Sequence, residues 1–149
     1  MSVVLELPRE YGYVLAVAAS SLFINTYHFL LTAKARGASG ITYPTPYASQ
    51  EQADKNPKAY AFNVAQRAHS NYTENQAPFL TALLIAGLRF PTPSAWLGGV
   101  WVAARVWYAA GYTSMGPPGR VGGFVTSAAI DFALKVMAVV TGYKLAQGL

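Results

Sequence analysis

Phe62-Asn63-Val64-Ala65-Gln66-Arg67-Ala68-His69-Ser70-Asn71-Tyr72-Thr73-Glu74 runs almost directly into the apolar stretch Ala77 to Leu88. Read as a helix, the run puts Arg67, Asn71 and Glu74 at i, i+4 and i+7, on one face. Because the apolar stretch follows at once, that face is expected at or just inside a membrane boundary. Ionisable groups are expensive there, and by default they mark a functional site with nameable partners. The stripe suits a small zwitterion.

Composition agrees with a membrane protein. The hydrophobic fraction is 53%, charged residues make up 11%, and mean hydropathy is +0.25. Ordinary soluble domains carry roughly 25% charged residues. The length of 149 residues sets the expectation of a single domain, 1–149. The absence of cysteine excludes disulfides and thiolate metal sites. Two histidines far apart in sequence argue against a dedicated metal site, so none is expected. The net charge of +5 is scattered, with no basic block or stripe, and nucleic acid is not an expected partner.

Four candidate spans emerge, at about 11–33, 59–88, 94–114 and 121–145. The first has no Asp, Glu, Lys or Arg and exceeds the roughly 20 residues needed to cross a bilayer. It is too long for the apolar core of a signal peptide and reads as a retained anchor. The second is polar in its first turns, should kink at Pro78, and is expected to end at Arg89 and Pro91-Thr92-Pro93. The third is interrupted by Arg105. The fourth carries Asp131 and Lys135, i, i+4 neighbours that read as a self-paired couple facing other helices rather than a proton path. Residues 34–58 form the expected long connection, with Tyr43-Pro44-Thr45-Pro46-Tyr47 at its centre, and Gly116-Pro117-Pro118-Gly119-Arg120 links the last two spans. Lys34, Arg36, Lys55, Lys58 and Arg120 fall on one side of the membrane and Arg9, Arg89 and Lys144 on the other. That bias predicts cytoplasmic first and third loops.

A second constellation is Arg105-Val106-Trp107-Tyr108-Ala109-Ala110-Gly111-Tyr112. Arg105, Tyr108 and Tyr112 stand at i, i+3 and i+7, again on one face. Taken alone, the tyrosines read as an interfacial aromatic belt, and Arg105 as a snorkelling side chain or the ion-pair partner of Glu74. Two polar faces at similar depth on neighbouring helices point instead to a shared pocket. Arginines hold carboxylates with fork geometry, a glutamate takes an ammonium, and Asn and Tyr add neutral hydrogen bonds. Glutathione, with two carboxylates and one amine, is permitted by this set although the residues alone do not demand it.

Phe62 to Asn71, with Glu74 and Pro78 after it, resembles the signature of the membrane-associated proteins in eicosanoid and glutathione metabolism, the MAPEG family. Arg105 to Tyr112 is similar to the family's third-helix motif, and Lys34-Ala35-Arg36 followed by Tyr43-Pro44 is similar to its first loop. The resemblance covers nearly the whole chain and is closest to the microsomal glutathione transferase type three branch, which is related to leukotriene C4 synthase. It implies an all-α integral membrane four-helix bundle in the endoplasmic reticulum membrane, assembled as a homotrimer. Glutathione would lie in a cytoplasm-facing cleft between subunits as co-substrate. By motif position Arg67, Asn71 and Glu74 would hold it from one subunit, and Arg36, Arg105, Tyr108 and Tyr112 from the other face of the cleft. His69 stands where the family also contacts glutathione, and an exposed histidine is the equal alternative there. The implied second substrate is an apolar, lipid-like or xenobiotic electrophile arriving through the bilayer. No receptor-read retention signal is evident at Gln147-Gly148-Leu149, so the organelle rests on the resemblance.

In the family an arginine in or near the loop after the third helix stabilises the thiolate, and Arg120 is the candidate. A guanidinium beside a thiol raises its thiolate fraction, and the thiolate is the nucleophile. Two departures stand out. Counting forward from Tyr112, the thiolate-stabilising position falls on Gly119, one residue short of Arg120. Asn75 follows Glu74 where the synthase carries a tyrosine. The leading expectation is a glutathione transferase and peroxidase. The alternative is a non-catalytic lipid-binding or scaffold member of the same fold, like the lipoxygenase-activating protein. A channel subunit has only Asp131 and Lys135 behind it.

Overall fold

Lys34-Ala35-Arg36 are strong helix formers, and the first apolar segment continues straight through them. In the computed structural model, which describes residues 6–148, helix α1 spans Tyr11–Ser39 and stops at Gly40, whose φ of 75° is the left-handed cap that glycine supplies. The expected loop from residue 34 is therefore shorter than its composition suggested. It is interrupted again by α2 (Gln50–Lys55), which the sequence reading missed. Its signal was a capping box, with Ser49 accepting from the Gln52 backbone N–H and the Gln52 side chain accepting from the Ser49 N–H.

Asn56 caps α3 (Pro57–Gly87) by accepting from Lys58 N–H at 3.0 Å, with Pro57 at the first helical position. The helix runs through Pro78. Pro91-Thr92-Pro93 does not form the link to the next helix, as expected from sequence. These residues are the first turn of α4 (Pro91–Met115), where backbone N–H groups have no helical partner and proline costs nothing. A 3-10 turn over Pro117–Arg120 leads into α5 (Val121–Ala146). Every regular element among the described residues is helical. Leu149, the last residue read for a retention signal, lies outside the described residues.

Two stretches among the described residues, Tyr11–Ser39 and Pro117–Ala146, are long and apolar enough to cross a membrane. Of the remaining long helices, α3 carries the polar run, and α4 is diluted by proline, glycine and aromatic residues. The helices α3 and α4 pack on each other; α1 packs on both, and so does α5. Among the described residues α1 and α5 do not meet, so they form two separate flanks. Both flanks turn large apolar side chains outward, including Leu22, Phe23, Leu30, Val125, Phe132 and Val139. An apolar surface of that extent belongs against lipid or another protein.

The core is aromatic. Phe79 and Trp101 stack with centroids 3.7 Å apart, and Tyr72, Leu83, Val14 and Leu134 are among the buried residues of the same cluster. Glycine sets the approach of α5 to α4. A Cβ on Gly123 would stand 2.6 Å from the Ala104 carbonyl oxygen, inside van der Waals contact. Gly111 and Gly119 meet backbone to backbone, and a Cβ on either would overlap the carbonyl oxygen of the other.

Gly123→Ala should therefore destabilise the protein by about 2 kcal/mol, as overpacking does. Gly142→Ala, where a Cβ meets nothing within 4 Å, should stabilise it by up to about 1 kcal/mol through helix propensity. Reversible unfolding of both variants in mixed micelles checks the opposite signs.

Candidate functional site

Arg67 and Glu74 lie one above the other on α3 and close an ion pair, Arg67 Nη1 to Glu74 Oε1, at 3.2 Å. Both are about half exposed, which limits the pair to under about 1 kcal/mol. Between them sits Asn71, whose Oδ1 accepts from Arg105 Nη2 at 2.8 Å. Arg105 is thus joined to Asn71 and not to Glu74, the ion-pair partner considered from sequence. Glu74 in turn spends its charge on Arg67.

Arg105 is the most unusual residue in the fold, a cation only 2% exposed. Its guanidinium faces the ring of Tyr108 at 4.6 Å, and the rings of Tyr72 and Trp101 at 5.7 Å each. An aromatic enclosure of this kind replaces part of the lost hydration by cation–π attraction. Tyr72 was not singled out from the sequence, and its hydroxyl donates to the Ser21 carbonyl of α1, fixing the ring. Tyr108 and Tyr112 meet edge to face at 5.8 Å, so both sit on the α4 face read from their spacing.

The 3-10 turn carries Arg120 over the Tyr112 ring at 4.8 Å. Arg67, Asn71, Tyr108 and Arg120, with Val121 and Phe124 of α5, line one cleft of about 290 Å³. Gly119 is pressed against Gly111, so no side chain fits at the position where the forward count fell. The next residue is the one that faces the cleft. Val121 and Phe124 were not among the sequence candidates; their signal was only that they follow the loop arginine on the next turn. Asn75 donates to the Asn71 carbonyl at 2.7 Å and so is spent within α3.

Arg36 and His69 stand elsewhere. They line a second cleft of about 320 Å³ with Phe29, Tyr43, Pro44 and Gln66. Arg36 Nη1 donates to the Thr45 carbonyl at 2.9 Å, and its guanidinium lies between the rings of Tyr43 at 4.3 Å and Phe62 at 4.4 Å. His69 Nε2 pairs with Asn25 Oδ1 at 2.9 Å and stacks on His28. The expected grouping of Arg36 with Arg105, Tyr108 and Tyr112 does not hold within one chain. Those three α4 residues belong with Arg67 and Asn71, and Arg36 goes with His69 on a different face of α3. Among the described residues no group of three or more His, Asp or Glu side chains could hold a metal ion.

The model of the MAPEG family matches residues 14–140. The chain belongs to the MAPEG family. That match spans α1 from its first turn through most of α5, so the residues of both clefts lie within it. Members of the family are membrane proteins that generally use glutathione, and they include both enzymes and non-enzymatic members.

Because Asn71 is the one side-chain hydrogen-bond partner of Arg105 among the described residues, Asn71→Leu leaves a buried cation without that acceptor. It should cost about 2–3 kcal/mol of stability, against under about 1 kcal/mol for Glu74→Gln at the half-exposed pair. Unfolding of the two variants in mixed micelles reads the difference.

Proposed function

We propose that the protein is a membrane-bound glutathione transferase and peroxidase, nearest in kind to the microsomal type three branch of its family. The observation that carries this reading is the convergence of Arg67, Asn71, Tyr108 and Arg120 on one cleft that opens beside the apolar residues Val121 and Phe124. Guanidinium forks suit carboxylates, the asparagine and tyrosine add neutral hydrogen bonds, and the apolar rim suits a second, lipid-like or xenobiotic substrate. The half-exposed Arg67–Glu74 pair opens on binding in this reading, Arg67 turning to a ligand carboxylate and Glu74 to the ligand's ammonium.

In this reading the Arg120 guanidinium stabilises the glutathione thiolate. A free thiol has a pKa of about 8.5, so a neighbouring cation that favours the anion raises the reactive fraction at neutral pH. The thiol proton passes to bulk water. The thiolate sulfur then bonds to an electrophilic carbon, whose leaving group or opened ring takes the displaced electron pair. With a hydroperoxide the sulfur attacks oxygen, the O–O bond breaks and an alcohol leaves. A second glutathione converts the sulfenic acid to the disulfide and water.

Arg36 of α1 and His69, on a different face of α3 from Arg67, fit a homotrimer of four-span subunits in which each copy closes its neighbour's cleft. The two unconnected flanks α1 and α5 suit such a head-to-tail ring. The Lys and Arg residues at the end of α1, in α2 and at the start of α3 support a cytoplasm-facing cleft in the endoplasmic reticulum membrane.

The test is the ultraviolet thiolate signal on adding glutathione to purified protein. A saturable signal is expected, reduced at least about ten-fold in Arg120→Ala and partly retained in Arg120→Lys. A signal untouched in Arg120→Ala moves the thiolate partner to Arg36 or Arg105. Binding without any thiolate signal favours the non-catalytic lipid-binding reading, and no binding at all sinks both the transferase and the glutathione site.

A further inference from the structure

Asp131 and Lys135 of α5 form an i, i+4 ion pair that the proposed reaction does not use. Asp131 is ten residues into the helix, on the order of 15 Å from its start. In a spanning α5 that is the middle of a hydrocarbon core about 30 Å thick. Pairing within the helix neutralises the charges and explains why they are tolerated. It does not explain their orientation. The Asp131 side chain is 16% exposed and the Lys135 side chain 51%, so the ammonium points away from the bundle at a depth where water is absent. An ammonium has three N–H donors, and Asp131 takes one.

Position on the helix links this pair to the cleft. Phe124, Asp131 and Lys135 are spaced at seven and four residues, so all three fall on one stripe of α5. Phe124 lines the cleft of Arg67 and Arg120. Asp131 and Lys135 lie on the order of 10 and 16 Å farther along the same stripe. Ala128 lies between Phe124 and Asp131 on this stripe and is exposed, so no bulky side chain of α5 blocks the track there. In a second copy of the chain the acid at this depth is its own Asp131, which already pairs with that copy's Lys135. The segment from Tyr11 to Ala33 has no charged residue, Arg105 is buried, and Arg67 and Glu74 neutralise each other.

The geometry points to Lys135, held by Asp131, as the polar anchor for the second substrate: a long-chain amphiphile whose hydrogen-bond-accepting oxygen sits roughly 10–16 Å from the reacting atom. This inference rests on the proposed glutathione reading for the identity of the reacting end, and on the α5 stripe for the rest. With its electrophilic carbon or hydroperoxide beside Arg120, the chain runs down the stripe past Phe124. Its distal hydroxyl, ester or carboxyl oxygen accepts from Lys135 Nζ. Lys135 is then a specificity-determining residue, and the preferred substrates are doubly oxygenated chains over plain hydrocarbons of equal length.

The experiment uses the full chain in lipid nanodiscs with glutathione and a matched pair of substrates: a long-chain alkyl hydroperoxide and its ω-hydroxy counterpart. The hydroxylated chain should show about a ten-fold higher kcat/KM, as one charge-assisted hydrogen bond provides, carried mainly by KM. Lys135→Met should remove the preference and Lys135→Arg should keep it, each read as the ratio of kcat/KM for the two hydroperoxides within one variant. Equal kcat/KM for the two hydroperoxides in the wild type, or a preference that survives Lys135→Met, overturns the anchor. So does a change in crosslinked oligomer size in Lys135→Met, which would assign the pair to contact between copies. Equilibrium binding of the unreactive long-chain alcohol and its α,ω-diol, without glutathione, separates the two readings. Tighter diol binding lost in Lys135→Met supports the anchor even if no turnover is found, in which case the transferase reading alone fails. Equal binding of the two overturns the anchor.

Discussion

One buried guanidinium organises this protein. Arg105 is almost wholly removed from solvent, hydrogen-bonded to Asn71 and enclosed by Tyr72, Tyr108 and Trp101. A cation in such a place must be compensated from several directions at once. The compensating groups come from α3 and α4, and Tyr72 is itself tied to α1 by its hydroxyl. The same contacts that make the charge tolerable therefore fix the relative register of three helices. They also set Asn71 and Tyr108 at the wall of the cleft, with their donors and acceptors already oriented.

Close backbone packing does a complementary job at the end of the bundle. Gly111 and Gly119 allow the turn after α4 to fold back on the helix, and Gly123 lets α5 lie against Ala104 and Tyr108. The turn is short and rigid, with two prolines followed by glycine and arginine. Arg120 consequently emerges at a defined point over Tyr112 rather than on a wandering loop. Precision in a binding site comes from such support more than from the residue that touches the ligand.

Much of this was legible in the sequence. The apolar segments gave the four long helices, and the spacings of Arg67, Asn71 and Glu74 and of Arg105, Tyr108 and Tyr112 gave their shared faces. The helix ends were misread where local chemistry overrode composition. Lys34 to Ser39 looked like loop because it is polar, yet it is helix-forming. Pro91 and Pro93 looked like a break, yet they open a helix. The partition of the site was beyond reach for a different reason. Periodicity says which residues share a face of one helix, but not which face of α3 meets α4. Arg36 and His69 parted from the other candidates on that point alone. Tyr72 and Phe124 carried no motif signal of their own, since an aromatic residue at helical spacing reads as ordinary core.

The contact between Gly111 and Gly119 also acts as a ruler on the chain. The two stand eight positions apart, and neither can accept a side chain while the other holds its place. Exchange at position 119 is therefore a closed route for moving a positive charge along this loop. A relocated charge requires a change in loop length, one that carries the glycine contact with it. The distance from Tyr112 to the loop arginine is in this sense fixed by backbone geometry, and a forward count from Tyr112 that ignores the glycine contact falls one residue short of the arginine.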